Sequence, residues 1–88
     1  MERRIVRSDD VIWNFVDDEV VALNQETGIY YGLNRTAAAL WDLTEQPKSE
    51  AEIIEHFIAT YEAEVEVITQ DVRNLIDDLL EKQLIKSV

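Results

Sequence analysis

The chain reads as an α+β fold, a three-stranded antiparallel meander followed by three helices. Three observations predict it. Apolar residues alternate along the first third of the chain, and beyond Arg35 they recur at helical spacing. Between the two regimes lies Gly28-Ile29-Tyr30-Tyr31-Gly32-Leu33-Asn34, a short aromatic strand that runs straight into a helix.

Val11-Ile12-Trp13-Asn14-Phe15-Val16 sets Val11, Trp13 and Phe15 on one face of a first strand. Asp17-Asp18 makes a tight turn, since Asp tolerates turn geometry and bonds its own backbone. Glu19 to Leu23 is the second strand. Asn24 to Gly28 turns the chain again, with Gly28 carrying a positive φ, and Ile29 to Leu33 is the third strand. Nothing that follows is built to pair with it, so it offers a docking edge of the kind a peptide-binding module uses.

Asn34 is the N-cap of the first helix, which runs to about Thr44 ahead of Pro47. Ser49-Glu50-Ala51-Glu52 matches a capping box, and behind it Ile53, Ile54, Phe57, Ile58 and Tyr61 form one apolar stripe. Thr69 is expected to cap the third helix, with Asp71 in its first turn where the helix dipole favours an anion. On that helix Val72, Leu75, Ile76, Leu79 and Leu80 span an arc roughly 140° wide. One side of the arc packs on the core. The other, Ile76 and Leu80 flanked by Arg73 and Asp77, is either further core or the wall of a groove beside the unpaired strand.

Composition narrows the function. At 88 residues there is room for one domain, expected over residues 1–88. Eight Lys and Arg against 19 Asp and Glu give a net charge of −11, which repels nucleic-acid phosphates. Between Ser49 and Val72 there are seven acids and no Lys or Arg, either a solubilising surface or a field that steers a basic partner. Cysteine is absent, excluding disulfides, thiolate metal sites and a thiol nucleophile. No apolar run approaches the roughly 18–20 residues of a membrane span. Met1-Glu2-Arg3-Arg4 has no apolar stretch behind it of the kind a secretory signal carries. A cytoplasmic protein with no membrane association is expected. Arg3, Arg4 and Arg7 are expected to fray or to contact a partner enzyme.

Catalysis finds little support. His56 is the lone histidine, on the second helix, and no Gly-rich phosphate loop or His/Glu metal spacing is present, so neither cofactor nor metal is expected. Asp17-Asp18 and Asp77-Asp78 are adjacent pairs whose carboxylates diverge.

Three segments in this order carry a resemblance: Leu33-Asn34-Arg35-Thr36-Ala37 with Leu40-Trp41; Ile53-Ile54 with Phe57 and Tyr61; and Asp71-Val72, Leu75-Ile76, Leu79-Leu80 and Leu84-Ile85. Together, over about residues 11–86, they resemble the PqqD-like family of RiPP recognition elements, small domains that bind the leaders of ribosomally made, modified peptides. Gly28 to Asn34, and Trp41 followed by Pro47, look most like the stand-alone proteins of lasso-peptide biosynthesis. The pyrroloquinoline-quinone branch usually has a Pro-Glu pair and a Cys-Asp-Gly where this chain has Asn24-Gln25-Glu26 and Leu43-Thr44-Glu45. The family often places Gly before the residue equivalent to Leu84; here it is Gln83, which lacks glycine's easy left-handed cap.

The resemblance implies a winged helix-turn-helix-like fold and a non-catalytic adaptor. The leader peptide would add as a β-strand antiparallel to the third strand, in a cleft against the third helix, for delivery to a leader peptidase and possibly a cyclase. Main-chain groups of Ile29, Tyr30, Tyr31, Gly32 and Leu33 would bind it, Val72, Ile76 and Leu80 would form an apolar floor, and Arg73, beside Asp77, would meet an acid of the leader. Tyr31 is the foremost groove residue of the strand, and Leu33 is core. The alternative is a winged-helix DNA-binding regulator, whose recognition helix would need basic residues where Ile68-Thr69-Gln70-Asp71 offers an acid.

Overall fold

The computed structural model describes residues 3–88; Met1 and Glu2, part of the stretch read above as lacking a secretory signal, lie outside them. In chain order the elements are β1 (Arg4–Arg7), β2 (Val11–Val16), β3 (Glu19–Asn24), β4 (Ile29–Leu33), α1 (Arg35–Leu43), β5 (Lys48–Ser49), α2 (Glu50–Thr60), α3 (Val65–Glu81) and β6 (Ile85–Ser87).

The meander forms as the alternation predicts, in the order β2-β3-β4 and antiparallel throughout. Asp17, at φ 59°, closes the first turn, and Gly28, at φ 76°, closes the second. A Cβ on Gly28 would meet nothing within 4 Å, so glycine is needed there for its backbone angle and not for space. The inner face of the sheet buries Val20, Ala22 and Leu33. Its outer face leaves Ile12, Val21 and Tyr30 in solvent.

Each helix ends for an identifiable reason. Asn34 Oδ1 accepts the Ala37 N–H at 3.0 Å, and α1 buries Ala37, Ala38, Leu40 and Trp41. Thr44 stops it, donating its hydroxyl back to the carbonyls of Leu40 and Trp41. The capping box of α2 is complete: Ser49 Oγ accepts the Glu52 N–H and Glu52 Oε1 accepts the Ser49 N–H, both at 3.1 Å. The bond from Ser49 holds the Glu52 carboxyl below its ordinary range. Its help to folding is therefore complete above the ordinary carboxylate pKa and is lost as pH falls through the lowered one.

α3 starts a turn earlier than its best capping residue suggested. Glu64 occupies the N-cap without a side-chain bond, and Thr69 lies inside the helix. Burial decides this: the series Ile68, Val72, Ile76 and Leu79 is in the core, and seating Ile68 there extends the helix toward its N-terminus. At the other end Gln83 adopts φ 59° and completes the left-handed cap that glycine usually makes. Its N–H donates to Leu80 O at 3.0 Å and that of Leu84 to Leu79 O at 3.1 Å, the paired bonds of a Schellman motif, with Leu79 and Leu84 both fully buried.

A second sheet, β5-β1-β6, was not foreseen. The N-terminal arginines do not fray: Arg4 and Arg7 lie within it, and Arg3, just before it, pairs with Glu50 and Asp77. Ile5 is fully buried, opposite Lys48 on one side and Ser87 on the other. Arg7 sits over the rings of Trp13 and Trp41, 4.7 and 4.9 Å from their centroids, and donates Nε–H to Trp41 O at 2.7 Å. Burial lowers its pKa, but an arginine so placed stays charged and gains from both rings.

The meander and the end of α3 meet at Asn24, which is 2% exposed. Its Nδ2 donates to Gln83 O at 3.1 Å and Lys82 O at 3.4 Å, while Oδ1 accepts the N–H groups of Glu26 and Thr27. Asn24→Asp would set a carboxylate against the negative end of α3 and remove both donors. It should cost about 2 kcal/mol or more in urea unfolding. Ile76→Ala should cost about 2–5 kcal/mol by the same measurement, because a fully buried side chain is lost. Asp77→Ala, at an exposed ion pair, should move stability by less than about 1 kcal/mol.

Candidate functional site

β4 pairs with β3 on one side and, among the described residues, with nothing on the other. The phase of the ladder determines what the free side presents. Gln25 donates its N–H to Asp10 O at 2.8 Å, so alternate residues Glu19, Val21 and Leu23 turn their main-chain groups toward β2. Val20, Ala22 and Asn24 therefore turn theirs toward β4, opposite Leu33, Tyr31 and Ile29. By the same alternation the N–H and C=O of Tyr30 and Gly32 point out over the open edge.

α3 runs alongside that edge. At one end the Asn24 side chain holds the carbonyls of Lys82 and Gln83, next to Ile29. Midway, Lys82 Nζ lies 5.4 Å from the centre of the Tyr31 ring. At the other end Asn34, Leu75 and Asp78 line a common hollow of about 510 Å³. A cleft thus lies between strand and helix. The hollow at its far end is walled by Phe57 and Tyr61, whose rings stack at 5.5 Å and 9°.

The residues singled out from sequence divide between two sides of α3. On the strand, Ile29 and Gly32 are exposed, Tyr30 is 69% exposed, Tyr31 is half-buried against the core, and Leu33 is core. On the helix, Val72 is buried at the base of the hollow, whereas Ile76 is wholly inside the protein and cannot touch a ligand without rearrangement. Arg73 is paired with Glu50 at 3.3 Å and Asp77 with Arg3 at 3.0 Å. Leu80 is half-buried and lines a smaller depression with Asn24, Gln83 and Lys86. A 100° step per residue places Arg73 and Asp77 roughly opposite Asp71, Leu75, Asp78 and Lys82. The helix flank beside β4 is the second set, so the flank favoured from sequence is turned away from the strand.

Asp71, Leu75, Asp78 and Lys82 recur at helical spacing, which is the signal that could have found them. Periodicity identifies both flanks of an apolar arc and does not say which one faces the strand. The electrostatics of the cleft follow from this correction. Lys82 is paired with Asp78 at 2.8 Å, and among the described residues the only charged side chains lining the hollow are Asp71 and Asp78.

Elsewhere the carboxylate pairs diverge: Asp18 meets Arg35 at 2.6 Å, and Asp77 and Asp78 hold different cations. His56 is exposed, its ring edge-on to Phe57. Among the described residues no group of three His, Cys, Asp or Glu could hold a metal ion, and no helix is long and apolar enough to cross a membrane.

Comparison with known proteins places the fold. The fold is similar to that of TbiB1 in complex with the TbiA(beta) leader peptide, with a TM-score of 0.84 and 33% identity over 92% of this chain and 94% of that one. A lasso peptide synthetase B1 complexed with the leader peptide shares the fold at a TM-score of 0.79 and 23% identity, over 93% of this chain and 96% of that one. No curated protein matches the chain. The family model described as coenzyme PQQ synthesis protein D (PqqD) matches residues 19–85, well over half the sequence, and the chain belongs to the PqqD family.

Proposed function

We propose that this protein is a non-catalytic adaptor of lasso-peptide biosynthesis. It captures the leader of a ribosomally made precursor as a strand added antiparallel to β4 and presents it to a leader peptidase and cyclase. The observation that carries this reading is the open β4 edge, where the main-chain groups of Tyr30 and Gly32 face a cleft walled by α3. Main-chain bonds along such an edge give affinity that tolerates sequence change, and side-chain hollows beside it give specificity. The 33% identical relative was captured with a leader peptide, which supports the same use of this chain. Holding a substrate next to a partner enzyme raises its local concentration without any chemistry in the adaptor.

A DNA-binding role meets an adverse field. The start of α3 carries Glu64, Glu66 and Asp71 and the net charge is −11, whereas phosphate contact needs Lys and Arg.

The test is a fluorescence-anisotropy titration with the synthetic leader of the precursor encoded with this protein. Tyr30→Pro removes an N–H that has no partner in the sheet, so it should weaken binding tenfold or more while circular dichroism stays that of the wild type. Tyr30→Ala removes only a side chain on the outer face and should bind within about twofold of wild type. Normal binding by Tyr30→Pro would place the peptide elsewhere.

A further inference from the structure

The hollow at the Asn34 end of the cleft combines an apolar wall with an uncompensated negative charge. Phe57, Tyr61, Val67 and Leu75 supply the apolar surface, on which Tyr61 and Val67 are 37% and 49% exposed. Of its two carboxylates, Asp78 is already neutralised by Lys82. Asp71 has no ion-pair partner among the described residues. The nearest arginine along the helix, Arg73, is turned to the far side and held by Glu50. Glu62, Glu64 and Glu66 stand on the segment leading into α3, and no Lys or Arg occurs between Ser49 and Val72. Opposite charge placed here would be attracted by several groups and repelled by none of the lining residues.

We infer that this hollow is a specificity subsite for a bulky apolar residue of the leader with a cationic residue beside it, and that Asp71 reads the cation. The inference rests on the adaptor reading above and reverses the charge first expected of the leader, since Arg73 is unavailable to meet an acid. It also assigns a position. A strand antiparallel to β4 starts at the Leu33–Asn34 end, so the residues over the hollow lie N-terminal to the paired segment. A leader that lacks Lys and Arg in that part contradicts the inference outright.

Titrations of the same leader at low and high salt provide the decisive comparison. Asp71→Lys should weaken binding about tenfold at low salt, with the gap narrowing as ionic strength rises. Glu55→Lys makes the same charge change on an exposed face of α2 outside the hollow and should stay within about twofold of wild type. Replacing each Lys or Arg of the leader by Gln in turn should reveal one that weakens binding to wild type but not to Asp71→Lys. Equal binding by Asp71→Lys and Glu55→Lys would overturn the subsite and leave the adaptor standing. A wild-type protein that binds no leader would overturn both.

Discussion

A primary amide carries two donor hydrogens and an acceptor oxygen, and it can be buried only if they are used. Asn24 uses them to join two parts of the molecule that sequence places far apart. Its oxygen closes the turn before β4, and its nitrogen takes the carbonyls of Lys82 and Gln83, the two residues that follow α3 and form its cap. The helix end is thereby held beside the first residue of β4. From there Lys82 reaches Tyr31, and Leu75 and Asp78 share a hollow with Asn34, so the cleft is the space between helix and strand. The Gln83 cap contributes to the same joint: a left-handed residue turns the chain so that Leu84 and Ile85 enter the core and β6 meets β1.

An open strand edge is a hazard in a small protein, because any extended chain can pair with it. β4 carries no proline, bulge or inward lysine of the kind that usually blunts an edge. It is short, and the chain that carries it has a net charge of −11, which opposes association between copies. These features suit an edge kept free for a ligand strand. One acidic composition would then serve two ends, opposing association between copies and favouring cationic residues in a docking strand, as proposed for Asp71.

Much of the fold was legible in the residues. The meander, the Asn34 cap and the Ser49 capping box all rest on local rules that tertiary context did not override. The start of α3 was not legible, since Glu64 is a poor cap and core packing of Ile68 determines where the helix begins. The second sheet was hidden for another reason: β5 and β6 are two and three residues long, too short for periodicity, and β1 is stabilised by distant partners such as Trp41. In the cleft, alternation located the strand but not which of its main-chain groups face outward: all five from Ile29 to Leu33 were expected to bind, and the sheet turns those of Ile29, Tyr31 and Leu33 toward β3, leaving those of Tyr30 and Gly32. The helix residues depended on which flank of α3 turns toward β4, a consequence of how Asn24 docks the helix end, and no pattern within α3 records it.

The central claim is that the peptide completes the sheet at β4, and amide hydrogen exchange followed by NMR tests it residue by residue. In the free protein Ile29, Tyr31 and Leu33, bonded to β3, should exchange slowly, while Tyr30 and Gly32 exchange fast. Adding the leader should slow Tyr30 and Gly32 strongly and change the other three little. Protection confined to α3, or spread over β4 without alternation, would contradict strand addition.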